Sequence, residues 1–99
     1  MDENEISKII VHAAYEIHTK LGPGLLESVY EEILYFELTS KGLKAERQKA
    51  IDVLWKGIKM EVGFRADLIV ENKVIIEIKS VSEILPVHPK QVLTVIATI

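Results

Sequence analysis

The stretch from Gly63 to Ser80, GFRADLIVENKVIIEIKS, constrains the fold most strongly because apolar and charged residues alternate along it. The apolar residues occupy the even-numbered positions from 64 to 70 and from 74 to 78: Phe64, Ala66, Leu68, Val70, Val74, Ile76 and Ile78. The odd-numbered positions are mostly charged. Alternation with a period of two is typical of half-buried strands, so the stretch predicts a β-hairpin with one core face.

The register of this hairpin follows from its loop. If residues 71–73 form the loop, Val70 faces Val74 and Asp67 lies opposite Glu77. A two-residue loop would shift the pairing by one residue and place the two acids on different faces, which the continuous apolar face argues against. Directly opposed carboxylates, with Cβ atoms roughly 5 Å apart, repel each other, and a cation between them relieves that repulsion.

The whole pattern predicts one α/β domain over residues 1–99. Asp2 and Glu5 have the spacing of a capping box before a first helix, and Gly22 is placed to end it. The predicted elements are two N-terminal helices, three strands of an antiparallel meander and a C-terminal helix or strand, over about 3–21, 25–41, 44–55, 58–70, 74–80 and 89–99 respectively.

The first two strands of the meander are predicted to turn at residues 56–57. Trp55 then opposes Ile58, and Ile51 opposes Val62. These pairs continue the apolar face of the hairpin, so the three strands are expected to share one core face beneath the helices.

Composition excludes several classes of function. The 99 residues include no cysteine, which excludes disulfides, zinc–thiolate sites and thiol nucleophiles. No run approaches the roughly 18 apolar residues of a membrane span, and the acidic N-terminus is not a signal peptide, so we expect a soluble, cytoplasmic protein without membrane contact. The net charge is −3, yet residues 41–60 carry a balance of +4. That basic segment fits either a phosphate-bearing partner or a solvated strand edge.

Residues 67 and 77–79 of the hairpin carry the candidate chemistry. The carboxylates of Asp67 and Glu77 suit Mg²⁺ or Mn²⁺, and the backbone carbonyl of Ile78 can add a third oxygen. Lys79 follows Glu77 by two residues, so its ammonium can orient a water or neutralise charge on a phosphate. Glu27, at the start of the second helix, can be aimed at the same ion. The alternatives are a solvent-facing hairpin and a helix acid that complements the macrodipole.

These residues resemble a known group of proteins. The pattern Asp67, nine residues, Glu77-Ile78-Lys79 on this succession of helices and strands resembles the PD-(D/E)xK nuclease superfamily, with Ala66 in place of the proline. The segment GLLESVY at 24–30 resembles the motif that names the GxxExxY proteins within it.

The resemblance implies a restriction-endonuclease-like core. Within it, Asp67 and Glu77 would be metal ligands, Lys79 the catalytic lysine and Glu27 an acidic member of the site. Gln91 would lie on the following helix and contact the site or the phosphate. The chain ends at Ile99, before the further strand and helix of that pattern, so we expect a truncated core or one completed by another chain.

The resulting expectation is a Mg²⁺- or Mn²⁺-dependent nuclease that hydrolyses DNA or RNA. Residues expected to contact nucleic acid or its phosphates are Tyr30, Arg47, Lys49, Arg65 and Gln91. The alternative is a catalytically inactive module with the same fold that binds nucleic acid or a protein partner. A homodimer formed through the C-terminal segment is a further expectation.

Overall fold

The computed structural model describes residues 1–22, 24–80 and 91–98, with side chains described as far as residue 78. Within these described ranges, two helices precede six strands. In chain order the elements are α1 (Glu3–Leu21), α2 (Glu27–Ser40), β1 (Ala45–Ile51), β2 (Leu54–Trp55), β3 (Ile58–Lys59), β4 (Phe64–Val70), β5 (Val74–Ser80) and β6 (Gln91–Thr98).

Helix α1 has the bounds that the sequence predicts. The Asp2 carboxylate accepts a hydrogen bond from the Glu5 amide at 2.8 Å, and the Glu5 carboxylate accepts one from the Asp2 amide at 3.0 Å. This is the predicted capping box. Gly22 ends the helix at a φ of 75° and donates its amide proton to the His18 carbonyl. A positive φ favours glycine, which explains why the helix stops there.

The central sheet has four antiparallel strands in the order β1-β4-β5-β6. It contains the predicted antiparallel meander, with the first hairpin interrupted between β1 and β4. The C-terminal segment, which the sequence left open between helix and strand, is a strand that pairs with β5. A separate two-stranded ribbon, β2–β3, extends from the β1–β4 hairpin.

Both helices cover one face of this sheet. The even-numbered strand residues from Leu68 to Ile78 are buried there together with residues of α1 and α2, as predicted. The prediction is wrong for Phe64, which is 38% exposed, and for Ala66, which is buried in a different cluster. The buried residues of this core are Ile6, Ile10, Ala13, Ile17, Tyr30, Leu34, Leu38, Leu43, Leu68, Val70, Val74, Ile76 and Ile78. A second, smaller cluster consists of Ala66, Ile69 and Ile75, with Ile51 packed against it.

The β2–β3 ribbon corrects two expectations about the first strand pair. Trp55 does oppose Ile58, as predicted. Ile51 pairs with Phe64 instead of Val62, so the register changes by two residues between the ribbon and the sheet. The backbone at Gly63 passes so close to β1 that an added Cβ would lie 2.7 Å from the Ile51 carbonyl oxygen. Only glycine fits this approach without a shift of the backbone.

The apolar face of the ribbon is not part of the core. Val53, Trp55, Ile58 and Val62 are 41%, 65%, 65% and 80% exposed, respectively. The expectation that all three predicted strands share one buried face is therefore wrong for residues 53–62. The alternation itself is present, but it does not bury these side chains.

In the part of the chain that the structure describes, no helix combines the length and apolar character that a membrane crossing requires.

Two leucines test which part of the β-structure carries the core. Leu68 is 0% exposed and Leu54, in the ribbon, is 65% exposed. We expect Leu68→Ala to lower the free energy of unfolding by about 2–5 kcal/mol because it leaves a cavity. The matched substitution Leu54→Ala should change it by less than about 0.5 kcal/mol. Urea denaturation followed by circular dichroism measures both, and equal losses would contradict the described core.

Candidate functional site

The β4–β5 hairpin has the predicted register. Leu68 pairs with Ile76, and the pairing continues to the loop at residues 71–73. Extending the same register by one residue places Asp67 opposite Glu77. The described ladder between the two strands ends at the Leu68–Ile76 pair, so both acids lie where the strands begin to separate.

A side chain bridges this separation. The Asp67 Oδ2 atom accepts a hydrogen bond from the Ile78 backbone amide at 2.8 Å. Its Oδ1 atom accepts a longer bond from Gln48 Nε2 at 3.3 Å. The Asp67 carboxylate therefore joins three strands, with one donor on each oxygen. Because each carboxylate oxygen has two lone-pair sites, both retain the capacity to bind a cation.

Glu77, unlike Asp67, has a carboxylate oxygen without a hydrogen-bond donor in the described part of the chain. Its Oε1 atom is buried and has no hydrogen-bond partner among the described residues. A buried carboxylate oxygen without a donor is costly because burial has removed its water. A divalent cation would satisfy such an oxygen, so the donor set of Glu77 and Asp67 fits a hard metal ion.

Helix α2 brings further carboxylates to Asp67. A cleft of about 390 Å³ lies between the helix and the strands. The described residues that line it are Glu27, Ser28, Glu31, Gln48, Asp67 and Ile78. Glu27, the predicted helix acid, and Asp67 thus border the same space. Glu77 is not among these described lining residues, so the cleft itself does not join Glu77 to Asp67.

Glu31 is the buried acid of this cleft, with an exposed fraction of 6%. Its Oε2 atom accepts a bond from Arg47 Nε at 2.9 Å, and its Oε1 atom accepts one from Gln48 Nε2 at 2.7 Å. The Arg47 guanidinium also lies 5.6 Å from the centre of the Tyr35 ring. A buried carboxylate is tolerated when donors and a counter-charge satisfy it, and Arg47 and Gln48 supply both.

Two acids do not by themselves make a complete metal site. The described residues contain no group of three or more histidine, aspartate or glutamate side chains that could hold a metal ion. The metal-ligand roles of Asp67 and Glu77 stay predictions, and the two residues would be only a partial donor set. The sequence also predicts ligand roles for the Ile78 carbonyl and the Glu27 side chain, and these roles stay predictions.

Tyr30 is a core residue. It is 3% exposed, and its hydroxyl donates to the Ala14 carbonyl at 3.0 Å. Burial raises the pKa of the Tyr30 phenol, so the hydroxyl remains a hydrogen-bond donor. The side chain is therefore not available for the predicted contact with nucleic acid.

The predicted basic contacts lie along β1 and β4. Arg47 is held by Glu31, as described above. The Lys49 ammonium bonds the Glu46 carboxylate at 2.8 Å, and this bond lowers the pKa of Glu46. Arg65 is exposed and pairs in register with Ala50. Arg47 and Lys49 thus already have carboxylate partners within the chain.

Two predicted site residues lie outside the described side chains. The backbone of Lys79 is in β5, opposite Val92, but its side chain is beyond residue 78. Gln91 is the first residue of β6, opposite Ser80. The placement of Gln91 on a following helix, implied by the resemblance, is wrong because this segment is a strand. The functional roles of Lys79 and Gln91 stay predictions.

Sequence reasoning did not select Glu31 or Gln48. Glu31 follows Glu27 by four residues, so the shared helix face was a usable signal, but its burial was not predictable from spacing. The position of Gln48 relative to the site depends on the register between β1 and β4. The predicted register places Gln48 opposite Arg65, whereas in the observed one Gln48 lies between the pairs Arg47–Leu68 and Lys49–Ala66, next to Asp67.

Comparison with known protein families gives one match. The family described as the PD-(D/E)XK nuclease superfamily matches residues 4–99. No curated protein and no solved structure matches the chain.

The buried Glu31 network makes a prediction about stability. In Glu31→Gln, an NH₂ group replaces one acceptor oxygen, so either Arg47 Nε or Gln48 Nε2 loses its acceptor. The positive charge of Arg47 also loses its counter-charge. We expect the free energy of unfolding to fall by about 1–3 kcal/mol. The control is Glu16→Gln, which removes an exposed pair with Lys20 at 3.1 Å and should have a much smaller effect. Equal effects in urea denaturation would show that the Glu31 network does not stabilise the fold.

Proposed function

Because the chain belongs to the PD-(D/E)XK nuclease superfamily, we propose that it is a Mg²⁺- or Mn²⁺-dependent nuclease that hydrolyses phosphodiester bonds of DNA or RNA. The resemblance of residues 24–30 to the GxxExxY motif supports a place in that group of the superfamily.

One observation carries the proposal. The buried Glu77 Oε1 atom lacks a hydrogen-bond donor among the described residues, and Asp67 and Glu77 each lie one residue beyond the Leu68–Ile76 pair, the last pair of the β4–β5 ladder. Two carboxylates in this arrangement are disfavoured without a cation. Their oxygens are the donor type that Mg²⁺ and Mn²⁺ prefer.

The residues then take distinct roles. Asp67 and Glu77 would hold the ion, with Ile78 contributing its carbonyl and Glu27 lying across the cleft. When bound, a divalent ion supplies polarisation of the phosphoryl oxygen and a lower pKa for a bound water. Lys79 follows Glu77 at the spacing that places both residues on one face of a strand, which supports a role in orienting the attacking water or offsetting phosphate charge.

Nucleic-acid contacts are a further part of the proposal. Arg65 is exposed at the start of β4, two residues from Asp67, and is the best-placed basic residue for a phosphate. Lys49 can exchange its partner Glu46 for a phosphate at the surface, whereas Arg47 is committed to Glu31. Gln91 is retained as a predicted contact on sequence grounds alone.

The homodimer also stays a prediction. Strand β6 forms one edge of the four-stranded sheet, and an edge strand leaves backbone hydrogen-bonding groups open to another chain.

Cleavage assays test the proposed function. Duplex DNA, single-stranded DNA and single-stranded RNA would each be incubated with Mg²⁺, Mn²⁺ or EDTA. We expect cleavage that requires a metal and falls by about 100-fold or more in Asp67→Asn, Glu77→Gln and Lys79→Met, because each removes a charged group from the reacting centre. Asp67→Asn retains an acceptor oxygen for the Ile78 amide, so the fold should survive.

The control variant is Asp52→Asn. It makes the same chemical change at a carboxylate whose side chain is 66% exposed and lies 3.5 Å from Lys59. Its cleavage rate should equal that of the wild type. Undiminished cleavage in all three site variants would refute the proposed centre. Binding of nucleic acid without cleavage under any metal would identify the inactive module instead.

A further inference from the structure

Gln48 has an unusual backbone conformation for its position. It lies inside β1 with a φ of 49°, while its neighbours Arg47 and Lys49 remain paired with Leu68 and Ala66. Side chains disfavour positive φ because Cβ approaches the backbone carbonyl. The strand nevertheless keeps its register on both sides of this residue.

The other described residues with positive φ and a side chain have an ordinary explanation. Lys56 lies in the turn of the ribbon, and Glu71 and Asn72 form the loop of the β4–β5 hairpin. Tight turns of this type require positive φ. Gln48 is in no turn, so its conformation must be held by something else.

Hydrogen bonds of the Gln48 side chain hold this backbone conformation. Its Nε2 group lies 2.7 Å from Glu31 Oε1 and 3.3 Å from Asp67 Oδ1. Both partners are carboxylate oxygens, which accept only, so the NH₂ end of the amide must face them. The shorter bond anchors Gln48 on α2, and the longer one extends from that anchor to Asp67 on β4.

Asp67 is consequently restrained from two directions. Gln48 donates to Oδ1, while the Ile78 amide donates to Oδ2. One donor on each oxygen limits rotation of the carboxylate about its Cβ–Cγ bond. Arg47 in turn holds the Glu31 carboxylate at 2.9 Å, so the chain of contacts is fixed at its far end by an ion pair.

We propose that Gln48 is a positioning residue that holds the Asp67 carboxylate in the orientation required for metal binding. This rests on the proposed function, in which Asp67 is a metal ligand. Partners that orient a ligand in this way contribute strongly to metal affinity. Backbone strain retained at such a position is typical of functional sites.

The test compares Gln48→Met and Gln48→Gly with wild type. Methionine keeps the length of the side chain but has no N–H donor. Glycine removes the side chain and relieves the backbone strain of the positive φ. Three quantities are measured: hydrogen exchange at the Ile78 amide in metal-free protein, Mn²⁺ affinity by calorimetry, and the thermal unfolding midpoint.

We expect Ile78 exchange to increase about fivefold in both variants, the change expected for loss of one hydrogen-bond restraint. The Ile76 amide, in the same strand, should be unchanged and serves as an internal reference. Mn²⁺ affinity should fall roughly 10- to 100-fold. Gln48→Gly should retain a midpoint equal to or above that of Gln48→Met, since it also relieves the strain.

Lys56→Gly is the matched control. It relieves a φ of 51° in the ribbon and should leave Ile78 exchange and Mn²⁺ affinity at wild-type values. The proposal is overturned if Ile78 exchange in Gln48→Met stays at the wild-type rate, or if Ile76 and Ile78 accelerate together, which indicates a purely structural role. If wild type binds no Mn²⁺, the proposed function fails, and the Ile78 exchange alone decides the role of Gln48.

Discussion

The hydrogen bond from the Ile78 amide to the Asp67 carboxylate is the contact on which the candidate site depends. It lies just beyond the last described pair of the β4–β5 ladder, at 2.8 Å. A continuous ladder would use backbone carbonyls as acceptors and leave the carboxylate pointing away from the partner strand. Here a side chain becomes the acceptor, so the two strands stay connected while leaving space beside Asp67.

The carboxylates around that space differ in how many hydrogen-bond donors they have. Glu31 accepts from both Arg47 and Gln48, and Asp67 accepts from Gln48 and Ile78. Only the Glu77 Oε1 atom, among the buried side-chain polar atoms of the described residues, lacks a partner. On the helix side, Arg47 offsets the charge of Glu31. The carboxylate oxygen without a described donor belongs to Glu77 on β5, and a cation would be most favourable beside that oxygen.

The hairpin and the first helix were predictable because their determinants are local. Side chains alternate between the two faces of a strand, so the apolar positions from Leu68 to Ile78 were enough to predict the register of β4 with β5. Asp2, Glu5 and Gly22 likewise act within one helical turn of the ends of α1. The ribbon has the same local pattern, yet it is exposed, since alternation defines a face without determining whether another element covers it.

What the sequence by itself determined is therefore the α/β succession, the bounds of α1 and the register of β4 with β5. The tertiary structure decided that Tyr30 belongs to the core and that Glu31 and Gln48 border the site. These assignments depend on how α2 lies over the sheet and on the two-residue register change between the ribbon and β1, where Gly63 passes next to Ile51. Contacts between residues distant in the chain depend on such packing, and periodicity within one segment contains no information about it.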